Sequence, residues 1–528
     1  MNSRSPAHSP ISLPPPRRRL LLRAAGIATV LAFLALIARF WHPVYGFTSL
    51  IQLDAPNDDL KITAFRELPV FVHRDTGGYD GLYYAQIAHD PTLRDPELPR
   101  AMDNFAYRAR RILPPALAWL FAAGQPAWII HTYPFVNLLA WLALAALLWR
   151  LLAVENFRGW LAWAGVMFSA GALASVRLAL SDLVALAILA AAMAAAERDR
   201  HRTAIGCLGA AALARETSLL ALAGLWTRPW FSAKNFLRLA LAVLPLALWL
   251  GYVRWRVGPA DQGWANFTWP ALGLIEKWHA ALTATATVGD KLLAGTTLLA
   301  TLGLTLQGVF FLTRWRPDDR WWRIGFSYSA MMLFLGTAVW EDFPGAAMRV
   351  LLPLNLAFNV LVHRTRAPLA WLLVGNLTVF AGLVALRDAP SDSRELAAVR
   401  SGGTAAIARI GEGWFGVEHR GRHAWSWCEQ HGTLAIETWP KTPQTVQLEF
   451  AARSLVPRTV ALRVDGREIW RTAVNATLTR HAVPLRIQAG KATVEFFTDT
   501  PPVPENATPG ARPLAFAIYD SRLTLQKP

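Results

Sequence analysis

Between two apolar spans the chain carries the stretch RDTGGYDGLYYAQIAHDP, Arg74–Pro91, which places Asp75 and Asp80 beside Gly77, Gly78, Tyr83 and Tyr84. Asp80 has two readings here. It can cap the N-terminus of the short amphipathic segment that follows. Alternatively the Gly77–Gly78 turn aims it at a cavity, where a carboxylate takes the proton of an attacking hydroxyl. In the same polar region Arg108, Arg110 and Arg111 stand where DNFAYRARRILPPALAWL turns apolar. Guanidinium groups at such a boundary either snorkel to headgroups or hold an anion through paired hydrogen bonds. Three further motifs put charge next to apolar sequence: Ser181-Asp182 in ALSDLVALAIL, Arg215-Glu216 in ARET, and Glu341, Asp342 and Arg349 in VWEDFPGAAMRVLLP. A charge at membrane depth costs about 2.5–3.5 kcal/mol on insertion scales. Arg215 and Glu216 therefore either pair with each other or serve a polar interior.

The elements that must position these groups follow from hydropathy. Of the 528 residues 54% are hydrophobic, and the mean hydropathy is +0.27. Apolar runs recur at about 22–41, 127–152, 158–178, 182–197, 203–226, 236–253, 290–313, 322–340, 346–362 and 367–386. Runs of roughly 20 such residues are long enough to cross a bilayer as helices. The 24 tryptophans suit membrane interfaces. The net charge of +17 comes mostly from arginines in short loops between apolar runs, the positive-inside pattern, so nucleic acid is not an expected partner. The two cysteines, Cys207 and Cys428, lie in regions of different character and form neither a zinc nor a redox motif. The N-terminal residues 1–21 read as a disordered basic cytoplasmic tail, followed by an uncleaved first helix.

With Arg17, Arg18, Arg19 and Arg23 inside, the loop 42–111 lies outside, and the basic loops at 198–202, 228–238, 314–323 and 364–366 should all lie inside. That holds only if 203–226 enters and leaves on one side, as a hairpin whose arms meet at ARET. Non-helical backbone at that depth requires protein or a water-filled cavity around it. Ile112–Ala123, ending at GQP, reads as a second partial helix. Residues 387–412 read as a linker. From 413 the periodicity drops to two, as in TVQLEF and TVALRVDG with an Asp465-Gly466 turn, predicting a β-sandwich outside the membrane. The fold class is thus a multi-spanning α-helical membrane domain over 22–386 with a C-terminal extracytoplasmic β-sandwich over 413–528.

This topology collects the acidic and arginine clusters on one external face. Such a site suits transfer from a lipid phosphate, with arginines on the phosphate and a carboxylate on the acceptor hydroxyl. No Walker loop or strand-embedded GxGxxG suggests a nucleotide donor. The layout resembles the C-type (GT-C) glycosyltransferase superfamily, which includes protein O-mannosyltransferases and aminoarabinose transferases. The resemblance rests on YDGLYYAQIA and RARRILPPALAW, then on SD at 181–182, ARET and MRVLLP, and covers roughly residues 20–365. It implies a bacterial inner-membrane enzyme that moves a sugar from a polyprenyl-phosphate donor to a glycan, lipid or protein acceptor. It implies Asp80 as the base, with Asp182, Arg215 and Arg349 lining the cavity. Asp75 and Asp182 are the alternative catalytic acids, and Tyr83, Tyr84, Arg108, Arg111, Glu216 and Glu341 are the remaining substrate-side candidates. Leu82 departs from the family, where Gln is common. Members with and without a divalent cation exist, so the resemblance leaves the cofactor open. Trp425 and Trp427 in WSWC have two readings, sugar stacking or strand packing. A transporter or flippase of a lipid-linked sugar is the alternative function, and a membrane scaffold displaying the β-sandwich is a third.

Overall fold

The computed structural model describes residues 16–56, 60–74, 76–259 and 263–525. The Pro/Ser-rich stretch expected to be disordered lies outside the described residues up to 15, and the chain is helical from Pro16. Two compact units form. The first holds the chain up to Arg39, Leu50–Leu60 and Arg74–Ala389, and the second holds Phe40–Ser49, Lys61–His73 and the chain from Pro390 onward.

The helices that position the candidate site in the first unit are α1 (Pro16–Ala38), α2 (Gly81–Ile87), α3 (Leu113–Phe121), α4 (Pro126–Leu151), α5 (Asp182–Ala196), α6 (His201–Ala214), α7 (Ala233–Arg256), α8 (Lys291–Thr313), α9 (Arg320–Phe334) and α10 (Leu352–Arg364). Among the described residues four of the chain's helices, α1, α4, α7 and α8, are long and apolar enough to cross a membrane. The pair Phe157–Met167 and Ala170–Arg177, bent by 44°, counts as a fifth if it is one span. The bend falls where Ser169 caps the second piece by accepting from the Ala172 N–H. The protein is therefore a membrane protein by the length and composition of its helices, with a β-rich C-terminal region.

Several apolar runs are shorter as helices than their sequence length suggests. The run 322–340 ends its main helix at Phe334, because Leu335 turns extended and bridges Phe267. The run 346–362 breaks at Leu351, just ahead of Pro353, separating Ala347–Val350 from α10. The run 367–386 breaks at Asn376, whose side-chain amide exchanges hydrogen bonds with that of Asn359 at 2.7 and 2.9 Å. Apolar composition alone does not reveal these breaks, which are made by a strand bridge, a proline and a side-chain amide pair. The partial helix expected near 112–123 is α3, ended by Gly124 at φ +70°.

The hairpin at 203–226 forms. α6 stops at Ala214, Arg215 is extended (φ −153°, ψ 117°), and Glu216–Leu225 continues as a 3-10 helix. Its direction is fixed at both ends. Arg215 pairs with Asp182 at the start of α5. Arg323, near the start of α9, donates to the carbonyls of Ala223 and Gly224. The neighbouring Trp321 donates to Glu197, just past the end of α5, at 2.7 Å. The 3-10 arm thus returns from the Asp182 end of the bundle to the Glu197 end, from which α6 set out.

Beside a short ladder of Val503–Pro504 with Pro513–Leu514, the second unit contains two large antiparallel sheets. Its strands are β1 (Glu395–Ser401), β2 (Thr404–Ile410), β3 (Glu418–Arg420), β4 (His423–Cys428), β5 (His431–Trp439), β6 (Gln444–Ser454), β7 (Arg458–Val464), β8 (Arg467–Val474), β9 (Thr479–Ile487), β10 (Lys491–Phe497) and β11 (Phe516–Leu525). One sheet has the order β8-β7-β10-β5-β2-β1 and the other β9-β6-β11-β4-β3. Their inner faces share a core that includes Ile436, Val446, Leu448, Phe450, Leu462 and Phe516. Asp465 and Gly466 both take positive φ, 51° and 77°, the two-residue turn whose twist matches a hairpin. The expected linker 387–412 is corrected by this sheet, since β1 and β2 lie within it. Alternation in LAAVRS and TAAIARI is weak because small alanines carry it, so the sequence reads as loop. The first-loop boundary shifts too. Val44, Tyr45 and Phe71 pack with Ala405, Ile407 and Trp439 in the second unit's core.

Candidate functional site

Asp80 directly precedes α2 and occupies its N-cap position, yet its side chain makes no capping hydrogen bond. Its φ of −48° and ψ of −30° are helical, and that geometry turns the carboxylate away from the N–H groups it would cap. The carboxylate instead pairs with Arg108 Nη1 at 2.8 Å, with 24% of the Asp80 side chain exposed. Gly81 is where the chain needs no side chain, because a Cβ there would run into the Leu178 carbonyl oxygen.

Arg108 ends the short helix Phe105–Arg108, capped by Asn104 accepting from the Tyr107 N–H. Its guanidinium is forked onto Asp103 at 3.0 and 2.7 Å and lies 4.7 Å from the Tyr83 ring centre. Burial works against the charge on Asp103. The Arg108 hydrogen bond and charge outweigh it and hold this carboxyl below its ordinary value. Arg111, almost fully buried, donates to Glu216 through Nε and Nη2 at 3.1 and 2.9 Å. It also donates to the phenol oxygens of Tyr84 at 2.8 Å and Tyr107 at 3.3 Å.

Asp182 is buried at the start of α5 and carries two guanidinium groups, Arg215 at 2.8 Å and Arg349 at 3.1 Å. Arg349 also donates to the Tyr79 phenol oxygen at 2.8 Å. Burial pushes the Tyr79 phenol above its ordinary value in spite of Arg349. The side chains at 215 and 216 do not pair with each other. In extended backbone successive side chains point to opposite sides, so Arg215 reaches Asp182 while Glu216 reaches Arg111.

The structure thus joins Asp80, Asp182, Tyr83, Tyr84, Arg108, Arg111, Arg215, Glu216 and Arg349 through contacts of α2, the Phe105–Arg111 segment, the start of α5, the hairpin tip and the Ala347–Val350 turn. It does not bring in Glu341, which is exposed and makes no ion pair among the described residues. Asp75 lies outside the described residues. Four members escaped the sequence reading: Tyr79, Asp103, Tyr107 and Tyr133. Tyr79 is one residue from Asp80 in the same motif and Tyr107 sits inside the arginine run, so adjacency was the available signal. Tyr133 on α4 is fully buried, its hydroxyl has no hydrogen-bond partner among the described residues, and no pattern in the apolar run marks it.

A divalent cation fits this donor set poorly. The Asp80 and Asp182 carboxylates are each turned onto guanidinium groups. Among the described residues no group of three or more His, Cys, Asp or Glu side chains could hold a metal ion. Two cavities border the cluster and share Glu216. One is a groove of about 940 Å³ along the 3-10 arm, and the other is a pocket of about 350 Å³ that also touches Arg110 and Arg254.

No protein-family model matches this chain. No curated protein matches it either. Among solved structures, one described as "CBM4 structure and function" aligns at TM-score 0.15 and 15% identity, over 22% of this chain and 78% of that one. A structure of TmCBM61 in complex with beta-1,4-galactotriose aligns at TM-score 0.15 and 14% identity, over 23% of this chain and 88% of that one. Likenesses this weak bear on neither fold nor activity.

In the second unit Trp427 is buried among Leu514 and Ala517. Trp425 stacks on Tyr519 with centroids 5.6 Å apart and donates to Glu418 at 3.1 Å. Both rings are engaged in packing.

Proposed function

We propose that this protein is an integral membrane glycosyltransferase that moves a sugar from a polyprenyl-phosphate donor to an acceptor hydroxyl. The observation that carries the reading is a partly exposed carboxylate, Asp80, freed from capping and held at the edge of a buried array of arginines. An acceptor hydroxyl attacks the anomeric carbon of the donor sugar, and Asp80 takes the hydroxyl proton as the new glycosidic bond forms. The bond between that carbon and the phosphate oxygen breaks on the opposite face, and the lipid phosphate leaves with the added charge. Guanidinium groups offset that charge in a site of low dielectric. Arg108 both orients Asp80 and stands close to where the phosphate would be released.

Aromatic side chains support placing this site at a bilayer interface. Trp119, Trp128, Trp255 and Trp269 of the first unit are exposed, each at or beside a helix end. Indole rings settle at headgroup level, where a lipid phosphate also sits. The charge pattern of the loops supports an N-terminus in the cytoplasm, and the bacterial inner membrane is proposed from the family resemblance.

The test is transfer of radiolabel from a set of polyprenyl-phosphate sugars by membranes holding the wild type or Asp80→Asn. Transfer by the wild type with a loss of about 10²–10⁴-fold in the variant is the expected result. Equal transfer by both would remove Asp80 from the chemistry. No transfer from any donor, together with movement of the lipid-linked sugar across proteoliposomes, would favour the flippase reading.

A further inference from the structure

The second unit carries a cavity that the transfer chemistry does not use. It lies at one end of the sandwich, where the ends of several strands meet. The turn from Ser401 to Thr404 joins β1 to β2, with those two residues paired across it and Gly402 at φ +58°. Residues 440–443 carry the chain from β5 in one sheet to β6 in the other. Arg486, near the end of β9, stands directly opposite Thr445 on β6. Their strand neighbours Leu485, Ile487 and Val446 belong to the core between the sheets. Side chains alternate along a strand, so Arg486 and Thr445 share the outer face. The cavity these segments border has a volume of about 660 Å³, within the roughly 300–1,000 Å³ typical of sites for small molecules.

Its lining has a consistent chemistry. The hydroxyls of Ser401, Thr404, Thr442 and Thr445 face it with the Gln444 amide and the Arg486 guanidinium. Among the described residues that line it there is no carboxylate and no aromatic ring. Arg486 is exposed, is the single charged group of that lining, and makes no ion pair or hydrogen bond among the described residues. Arg409, Arg471 and Arg512 of the same unit are each held by carboxylates. A guanidinium without a counter-charge takes an oxyanion through paired, charge-assisted hydrogen bonds. Hydroxyl and amide side chains both donate and accept, which matches ligand hydroxyls that do the same. With no ring to stack on, a neutral sugar has only hydrogen bonds that water contests. We propose that this pocket binds an acidic sugar, with its carboxylate or phosphate on Arg486 and its hydroxyls on Thr445 and the neighbouring polar side chains. The site lies within the second unit alone and does not rest on the transferase reading.

The experiment measures binding of glucuronate and of glucose 6-phosphate to the purified full-length protein in nanodiscs of neutral lipid. Glucose, acetate and inorganic phosphate serve as comparisons. Wild type is set beside Arg486→Ala, Arg486→Lys and Thr445→Val, with Arg467→Ala as an exposed arginine outside the pocket. Both pocket positions lie on the outer face of their strands, so wild-type thermal unfolding is expected throughout and is checked. At least one acidic sugar should bind about tenfold or more tightly than glucose and than the matching simple anion, since hydrogen bonds to a charged group exceed neutral ones. Which of the two is preferred tells carboxylate from phosphate. Arg486→Ala should remove that preference, Arg486→Lys should keep part of it without the paired geometry, and Arg467→Ala should leave it intact. Thr445→Val should weaken the acidic sugar while leaving the simple anion as before. Binding should also fall with added salt. Glucose binding as tightly as the acidic sugars, or acidic-sugar binding unchanged by Arg486→Ala, overturns the proposal. So does a simple anion that binds as tightly as the sugar carrying it, and so does the absence of binding by either acidic sugar. Sugar transfer by the first unit is a separate readout, and either finding stands without the other.

Discussion

Asp80 and Asp182 show how the same side chain takes opposite roles according to its surroundings. Asp80 is partly exposed and has one close guanidinium neighbour, so Asp80→Asn should leave thermal unfolding nearly unchanged while cutting transfer by about 10²–10⁴-fold. Asp182 is buried between two guanidinium groups. Asp182→Asn strands Arg215 and Arg349 without their counter-charge, and the loss of a buried partner costs about 3–5 kcal/mol. A marked drop in the unfolding temperature in detergent is expected, and an unchanged one would show that the arginines find other partners. Tyr79 gives a pH-dependent version. Its phenol has a folded value raised above the ordinary 10. The stabilisation linked to it is complete below the unfolded value and is lost as pH rises through the folded one. Tyr79→Phe should therefore be less sensitive than wild type to a rise from pH 9 to strongly alkaline conditions, read as the unfolding temperature.

Two elements hold the cluster through glycine contacts. Gly81 starts α2 against the Leu178 carbonyl, and Gly171 lets its helix approach the Met348 carbonyl beside Arg349. A methyl group at either position must displace backbone that carries a site residue. Gly81→Ala and Gly171→Ala should each destabilise by about 1–3 kcal/mol and reduce transfer. Gly77→Ala, which meets nothing within 4 Å, should do neither. Parallel unfolding and transfer assays on the three variants decide this. If Gly81→Ala keeps wild-type transfer, the placement of Asp80 does not depend on that close approach. The hairpin is the other decisive element, since one extended residue, Arg215, sends adjacent charges to two separate partners.

For the whole molecule, the informative feature is that the second unit is built from distant parts of the chain. Val44, Tyr45 and Phe71 complete a core with Ala405, Ile407 and Trp439. Arg409 is forked between Asp392 and Glu437 and also donates to the Tyr45 hydroxyl. The fragment 390–528 expressed alone leaves that apolar face uncovered. It should bind a hydrophobic dye and unfold at a lower temperature than the same unit in the full-length protein. A fragment with full stability would show that the first-loop segments are dispensable for the sheet. Since these segments follow α1 and precede α2, the unit cannot assemble until both ends of the chain are made.

The sequence by itself determined the membrane class, through runs of apolar residues that no soluble core needs. It determined most sandwich strands through period-two alternation, and the hairpin through the distribution of arginines among loops. It also named nine of the residues that meet at the cluster, because charge beside apolar sequence is rare and conspicuous. Tertiary structure alone decided which partners they have. Whether Asp80 caps α2 or faces Arg108 turns on its ψ, helical at −30° where the capping Ser169 and Asp319 are extended at 151° and 127°, and whether Arg215 meets Glu216 or Asp182 turns on one extended residue. Glu341 looked equivalent to the others in sequence and stays outside the cluster. The alanine-rich strands β1 and β2 and the union of 40–49 and 61–73 with the sheet were hidden for a related reason. Their stability comes from long-range packing, which leaves no local periodicity to read.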